Sequence, residues 1–396
     1  MSMGYLNRSH VAFAGVVALV AAGGAACGSS PGSGGEVKVA ASSAAAGHEQ
    51  SSAHALRERA LAAARVWMPP PVPINQANLR DNPPGPGAFR EDEEVACRFK
   101  LETSGGLTPK FFCDLPSGDT IKVKYGNGNA EVHAEVAATR LLSALGFATD
   151  RMYVVKRVRC AGCPTFPFRA LQCYRTTGSK ATCFPGGIDY DRVMTFDTAV
   201  IERRLDGRKI EDGSVEGWAW HELNKVDPSR GGSSRAEVDA LRLMAVLLAH
   251  WDNKAENQRL MCPPGADGPD GGCATPLAIV QDVGATFGPA KVDLNNWRSY
   301  RIWTDAKSCT VSMKSLPYNG ATFVDWQISE AGRTLLLGLL EQLTDRQLRD
   351  LFEGSHITDY DQVNAAARGA DAWVMAFREK VTQIKEAGPC PAAAAS

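Results

Sequence analysis

Oxygen-bearing side chains recur in two short stretches of this sequence, each directly after an apolar segment. Residues 250–257 read His-Trp-Asp-Asn-Lys-Ala-Glu-Asn and follow the apolar run 241–249, which has the length of a buried helix. Residues 281–284 read Gln-Asp-Val-Gly and follow 277–280, a short apolar strand. Carboxylate and amide oxygens are the ligands that Mg²⁺ prefers. The two stretches therefore predict a magnesium site whose ligands come from both loops.

The two stretches resemble the catalytic loop and the magnesium motif of protein kinases, His-Arg-Asp-Leu-Lys-Pro-Glu-Asn followed by Asp-Phe-Gly. The resemblance implies that Asp252 accepts or orients the proton of an acceptor hydroxyl and that Lys254 meets the transferred phosphoryl group. It assigns Asn257 and Asp282 to the metal. The alternative is a solvated polar turn after a buried helix, since short motifs also match by accident. The matching residues are His250, Asp252, Lys254, Glu256, Asn257, Asp282 and Gly284.

The segment before these loops can be compared with the small lobe of a kinase. Residues 99–112 predict a hairpin that turns at Ser104-Gly105-Gly106, and such a turn lets backbone amides approach phosphates. Strand 120–125 alternates, with Lys122 and Lys124 on one face. The resemblance favours Lys124 as the lysine that binds the nucleotide phosphates and leaves Lys122 as the alternative. For either lysine alone, the exposed face of an edge hairpin is the simpler interpretation.

A helix follows this strand. Residues 131–145 have helical apolar spacing, and Gly146 follows as a C-cap. Glu131 and Glu135 are four residues apart and share a face. In kinases a glutamate on this helix holds the strand lysine for the phosphates, and we select Glu135 for that role. The alternative is a surface glutamate on an amphipathic helix.

These elements predict an α+β chain with the two-lobed fold of protein kinases. Strands 152–158 and 195–204 complete a small β-rich N-lobe with one helix, and the resemblance places the hinge to the second lobe after 204. The C-lobe is expected to be mostly helical. Its predicted C-terminal helices cover 326–343, 344–352 and 363–384.

The N-terminal residues predict an export signal. Arg8 and His10 precede an apolar run over residues 11–22, too short to span a membrane, and small residues then lead to Cys27. This pattern resembles a bacterial lipoprotein signal, in which the cysteine is lipid-modified and tethers the protein to a membrane. The alternative is an ordinary cleaved signal with an incidental cysteine.

The amino-acid composition predicts where the remaining segments of the chain begin and end. Gly, Ser and Pro dominate residues 28–88 around one short helix at 54–67, which predicts a flexible linker and a folded part that starts near Phe89. A net charge of −1 over 396 residues argues against a nucleic-acid partner. The predicted segments are a signal peptide at 1–27, the linker at 28–88, an N-lobe with a Cys-rich insertion at 89–204, and a helical C-lobe with the catalytic loop at 205–390.

The chain has eleven cysteines, so ten remain if Cys27 carries lipid. In an exported protein these are expected to form disulfides. Cys97 and Cys113 face each other across the predicted hairpin, and Cys262 and Cys273 bracket a Gly/Pro-rich insertion. Four others share one segment, where disulfides are favoured and a zinc site is the alternative. They are Cys160, Cys163, Cys173 and Cys183.

The chain also departs from ordinary protein kinases. Trp251 replaces the catalytic-loop arginine, which argues against switching by phosphorylation of an activation loop. No Ala-Pro-Glu motif follows Asp282, and the gap from Asn257 to Asp282 is longer than usual. The resemblance, which covers roughly residues 97–290, is therefore closest to atypical groups such as HipA-type kinases and the secretory-pathway Golgi casein kinases.

The resemblance implies an exported, membrane-tethered phosphotransferase. It would bind Mg-ATP and transfer the γ-phosphoryl group to a hydroxyl of an unidentified protein or small molecule, in the cell envelope, facing the periplasm or the exterior. Three alternatives stay open: an inactive kinase-fold lipoprotein that binds partners, transfer of AMP by the same fold, and an envelope lipoprotein whose acidic residues bind Ca²⁺. The scarcity of ATP outside the cytoplasm favours the first of these.

Overall fold

The computed structural model describes residues 52–126, 129–213, 216–289, 292–316, 320–359 and 369–391. The expected signal peptide and Cys27 lie outside the described residues, so export and lipidation stay predictions. Within the described ranges, no helix is both long and apolar enough to cross a membrane.

Residues 52–88, the described part of the chain before Phe89, contribute to the folded protein. Helix α1 covers residues 52–62, and its Leu61 is buried in the main core. Its Arg57 is also buried and forms an ion pair with Glu222, with 2.8 Å between Nη2 and Oε2. The prediction of a flexible linker is therefore wrong for residues 52–88. The short helix expected at 54–67 does form, at residues 52–62.

Five strands form a closed barrel in the N-lobe. They are β1 (Glu94–Lys100), β2 (Lys110–Asp114), β3 (Thr120–Lys124), β4 (Arg151–Ala161) and β5 (Val193–Arg203). The order around the barrel is β1-β2-β3-β5-β4, and a parallel pairing of β1 with β4 closes it. Phe111, Val123 and Ile201 are among the residues that fill its interior.

Helix α2 (Ala130–Ala144) lies between the barrel and the C-lobe. Val132 and Val136 pack against barrel residues, while Ala137 and Leu141 belong to the core of the C-lobe. Both sides of the helix are therefore covered, and most of its polar residues are buried as well: His133, Glu135, Thr139 and Arg140. The alternative interpretation of α2 as an amphipathic surface helix is therefore wrong.

The C-lobe is built around α5 (Arg235–Leu248), a helix that is buried over most of its length. A small sheet of β6 (Arg208–Lys209), β7 (Gln258–Cys262) and β8 (Leu277–Val280) carries the two polar loops at its ends. Further on lie α6 (Leu294–Ser299), β9 (Thr310–Val311), β10 (Trp326–Gln327), α7 (Glu330–Leu340), α8 (Asp345–Gly354) and α9 (Ala370–Glu386).

The predicted two-lobed α+β fold is confirmed, with one correction among the C-terminal elements. The helix expected over 326–343 is a short strand followed by α7, because Ser329 caps a helix that starts only at Glu330. The helix expected over 363–384 is described only from Ala370 onward. The capping box at the start of α8 forms as predicted, between Thr344 and Gln347.

Five disulfides lie within the described residues. The two predicted pairs form, and the four clustered cysteines make two further disulfides, so the zinc alternative is wrong. Cys113 lies opposite Phe99 rather than opposite Cys97, a shift of two residues from the expected register. Such a shift keeps both sulfurs on the same face, so the bond forms diagonally. The pairs are Cys97–Cys113, Cys160–Cys163, Cys173–Cys183, Cys262–Cys273 and Cys309–Cys390.

The second and third of these disulfides hold the insertion between β4 and β5. This insertion contains α3 (Pro167–Thr177) and the single turn α4 (Lys180–Cys183), and its disulfides remove much of the freedom that a polar segment of this length would otherwise have. Helix α3 packs against β2 and reaches the loop between β1 and β2.

Candidate functional site

Lys124, the last residue of β3, lies at the centre of a buried group of charges. Its Nζ is 2.5 Å from Oε2 of Glu135, 3.1 Å from Oε2 of Glu202 and 3.4 Å from Oδ1 of Asp282. These carboxylates come from α2, from β5 and from the loop after β8, so one ammonium group links three elements. Burial lowers the pKa of Lys124, but the three carboxylates outweigh it and raise that pKa well above its ordinary value.

Glu135 reaches Lys124 from the covered side of α2. Its burial raises the pKa of its carboxyl to about 7, against the opposing effect of the Lys124 ammonium. Glu131, one helical turn earlier, instead accepts a hydrogen bond from Thr108 Oγ1 at 2.7 Å. The structure thus brings together the lysine and the glutamate that were selected from the sequence, and it assigns the other glutamate to the β1–β2 loop.

Lys122 shares the carboxylate of Glu202 with Lys124. Its Nζ is 2.5 Å from Oε1 of Glu202. Burial alone would raise the pKa of Glu202, but the ammonium groups of Lys122 and Lys124 lower it well below its ordinary value. Sequence analysis missed Glu202. The available signal was a carboxylate directly after the apolar run 199–201, because a buried acid needs a cationic partner.

The β1–β2 loop contains the expected glycine turn. Gly106 has a φ of 81°, a conformation that favours glycine, and its carbonyl accepts a hydrogen bond of 3.2 Å from Nε2 of Gln172 on α3. Gly105 adjoins it, near Arg175. An ideal Cβ at Gly106 would lie 2.9 Å from Nζ of Lys110, the first residue of β2. The binding of phosphate by the amides of Gly105 and Gly106 stays a prediction.

The catalytic-loop stretch begins with a sharp turn at the end of α5. Ala249 takes a left-handed φ of 54° and directs the chain into His250, which is buried and whose pKa burial lowers to about 4. Burial raises the pKa of Asp252, with Lys254 Nζ 3.7 Å from its Oδ1. That Oδ1 accepts no hydrogen bond from the part of the chain that the structure describes. The arrangement places a buried carboxylate oxygen with spare acceptor capacity beside a lysine.

Backbone hydrogen bonds join this stretch to the loop after β8. Gln281 N donates to Asn257 O at 3.2 Å, and Trp251 N donates to Ala285 O at 3.2 Å. Asp282 lies between these two connections with a left-handed φ of 51°, and 39% of its side chain is exposed. Burial opposes its charge, but the nearby lysines lower the pKa of Asp282 below its ordinary value. Asp282 is therefore held as an ionised, accessible carboxylate.

Gly284 is required because its backbone lies close to Glu131 of α2. An ideal Cβ at this position would lie 2.8 Å from Cγ and 2.9 Å from the backbone oxygen of Glu131. The Asp-Val-Gly loop therefore rests directly against the first turn of α2. The same turn holds the β1–β2 loop through Thr108, so three parts of the site share one contact point.

Asn253 is a positioning residue that the sequence analysis missed. It is fully buried, and its Oδ1 accepts hydrogen bonds of 3.0 Å from the backbone N–H groups of Thr322 and Phe323. Its Nδ2 donates to the carbonyl of His250 at 3.0 Å. The side chain thereby fixes the catalytic-loop stretch to a distant segment. No local pattern reveals this role, because the partners lie about seventy residues further along the chain.

The residues present fit a magnesium ion. Asp252, Asn257 and Asp282 offer oxygen ligands alone, which is the donor set that Mg²⁺ prefers. Asn257 Nδ2 donates to the carbonyl of Asp252 at 2.7 Å, which leaves the amide oxygen of Asn257 for a ligand. The lysines beside Asp282 provide positive charge where the phosphates that accompany such an ion would lie.

Two solved kinase structures align with this chain at low similarity. No family model matches the chain, and no curated protein sequence matches it. Among solved structures, the Helicobacter pylori proinflammatory kinase CtkA aligns with a TM-score of 0.40 at 9% identity, over 75% of this chain and 97% of that chain. A Golgi casein kinase aligns with a TM-score of 0.36 at 13% identity, over 75% and 74%. Likeness at this level carries no argument about activity.

Proposed function

We propose that this protein is a kinase-like phosphotransferase that binds Mg-ATP and transfers the γ-phosphoryl group to a hydroxyl acceptor. The observation that carries the proposal is the convergence of Glu135, Glu202 and Asp282 on Lys124, next to the oxygen ligands of the catalytic-loop stretch. Enzymes of this kind work almost entirely by positioning and by stabilising charge. The charged side chains of this site are suited to both positioning and charge stabilisation.

The proposed residue roles come from the resemblance, and the geometry of the site supports them. Asn257 and Asp282 would hold Mg²⁺, which when bound neutralises charge on the phosphates. Lys124, oriented by Glu135, supplies a fixed positive charge in the same cleft. Asp252 takes the proton of the acceptor hydroxyl at its free oxygen while the new oxygen–phosphorus bond forms and the bond from the γ-phosphorus to the bridging oxygen breaks. Lys254, beside Asp252, faces the charge on the transferred group.

We further propose that the protein acts outside the cytoplasm, tethered by a lipid on Cys27. Five disulfides within the described residues are compatible with an oxidising compartment. The expected export signal and its cysteine support the tether.

The first test is thermal stability of the full, oxidised chain with and without Mg²⁺ plus ATP, beside the variant Asp282→Asn. A ligand that binds only the folded state stabilises it, by about 2.7 kcal/mol at a hundredfold excess over Kd. We expect a magnesium-dependent rise in melting temperature that Asp282→Asn loses. The variant is expected to fold, because it keeps the shape of the side chain.

Other outcomes identify the alternatives. A chain that folds but shows no shift with Mg-ATP is a binding module rather than a kinase. A label on the α-phosphate that appears on a target indicates transfer of AMP. Stabilisation by Ca²⁺ without nucleotide indicates a structural acidic site.

A further inference from the structure

Lys110 is a buried lysine in the cleft that the proposed mechanism does not use. It is the first residue of β2, and it lies directly opposite Lys124 in the antiparallel pairing with β3. Directly opposed residues of such a pair point to the same face of the sheet, so both ammonium groups are on the cleft side. Like charges in this position destabilise a sheet. Burial and the Lys124 ammonium both lower the pKa of Lys110.

Among the described residues, no carboxylate lies within ion-pair distance of the Lys110 ammonium group. Lys110 is only 7% exposed, yet within the described ranges its Nζ has neither an ion-pair partner nor a hydrogen-bond acceptor. The contrast with its neighbours is sharp, since Lys122 has Glu202 and Lys124 has three carboxylates within 3.4 Å. Burying most of a charged side chain without a partner is unfavourable, so the position of Lys110 calls for a physical explanation.

The surroundings of the Lys110 ammonium group indicate what kind of ligand it binds. Nζ lies against Gly106, where a side chain on the loop would meet it at 2.9 Å. The loop is held there from two sides, by the Thr108–Glu131 hydrogen bond and by Gln172. Asp282 lies close enough for its charge to favour the ionised form of Lys110. A positive charge thus lies between a glycine turn and the carboxylate assigned to the metal.

We propose that Lys110 binds a phosphate group, which under the proposed function belongs to the nucleotide. Lys124 is already neutralised by three carboxylates, so it offers a phosphate less unbalanced charge than Lys110 does. An anion beneath Gly106 would satisfy the one cation in the cleft that the described residues leave unpaired. A phosphate compound that lacks a nucleobase has the same binding chemistry. The experiment therefore distinguishes a nucleotide from such a compound.

The test is isothermal titration of the full, oxidised chain with Mg-ATP, inorganic tripolyphosphate and adenosine. The variants are Lys110→Met and Lys110→Gln, with Lys100→Met as the matched control, because Lys100 is a partly exposed lysine of β1 whose ammonium group pairs with Glu102 at 3.3 Å. We expect both Lys110 variants to lose at least tenfold in affinity for Mg-ATP and tripolyphosphate and to keep their affinity for adenosine. Without ligand, Lys110→Met should melt at or above the wild-type temperature, because it removes an uncompensated buried charge.

The outcomes distinguish this inference from the proposed function. Unchanged affinity of both Lys110 variants for Mg-ATP and tripolyphosphate, with Mg-ATP affinity lost in Asp282→Asn, overturns the role of Lys110 and leaves the kinase proposal standing. Wild-type binding of tripolyphosphate but not Mg-ATP, lost in the Lys110 variants, supports a phosphate site and overturns the kinase proposal. A wild-type chain that binds neither overturns both.

Discussion

Replacing Glu202 by glutamine is expected to cost about 3 kcal/mol of folding free energy. Glu202 is buried and bridges Lys122 at 2.5 Å and Lys124 at 3.1 Å. No other carboxylate of the described residues lies within ion-pair distance of Lys122. Breaking a buried pair costs about 3–5 kcal/mol because it leaves a charge uncompensated. We take the lower end, since 14% of the Lys122 side chain is exposed and Lys124 keeps two carboxylates.

A double-mutant cycle separates this effect from loss of packing. Adding Lys122→Met to Glu202→Gln removes the stranded charge, so the double variant should regain about 2 kcal/mol. The matched control is Asp325→Asn, which breaks an exposed pair with Lys314 at 2.7 Å. Exposed pairs contribute at most about 1 kcal/mol.

The assay is urea unfolding of the oxidised protein, followed by both tryptophan fluorescence and circular dichroism. Coincidence of the two transitions is required before free energies are compared. The reasoning is refuted if Glu202→Gln costs no more than Asp325→Asn, or if Lys122→Met gives no recovery.

Two further predictions concern α2. Gly284→Ala should destabilise the protein by about 1–3 kcal/mol, because its new Cβ would meet Glu131, whereas the matched Gly338→Ala, in an open position of α7, should stabilise it by about 0.5–1 kcal/mol in the same urea assay. Equal effects of the two substitutions would contradict the close approach at Gly284. His133 is buried on α2, and burial lowers its pKa from 6.5 to about 4. Its neutral form stabilises the folded state above pH 6.5, and this contribution falls by about 2 kcal/mol between pH 7 and pH 5, so His133→Gln should show a correspondingly shallower loss of unfolding free energy over that interval. An unchanged pH dependence in the variant would show that other groups cause it.

Local patterns in the sequence were sufficient for the elements that carry the site. The strand predicted at 277–280 has those bounds in the structure, and the helix predicted at 131–145 differs by one residue at each end. These elements have strong apolar periodicity of their own, and adjacent turn residues mark their ends. Lys124 pairs with Glu135 and not with Glu131, a choice between two glutamates that neither the spacing nor the resemblance decided.

What the sequence did not predict depends on contacts between distant residues. The charged neighbours of Glu202 and Lys110 are determined only when β3 pairs with β5 and with β2. Closure of the barrel by parallel strands β1 and β4 has no local signal either. The position of Lys110 could in principle be predicted, because a turn at 115–119 places it opposite Lys124. That prediction requires the strand register to be determined before the charges are interpreted.

Several features of the cleft lower the stability of the fold, and this bears on whether the site is functional. Ala249 and Asp282 both hold left-handed backbone conformations, which cost about 1–3 kcal/mol each for residues other than glycine. Lys110 adds a buried charge opposite another lysine. Replacements that relieve such costs are commonly available to a protein, and the usual penalty for them is lost function. A module that only bound partners on its outer surface would not need these features. An oligoanion bound with a metal ion in the cleft would need the exposed carboxylate of Asp282 and the unpaired ammonium of Lys110, and these two groups support the proposed nucleotide site.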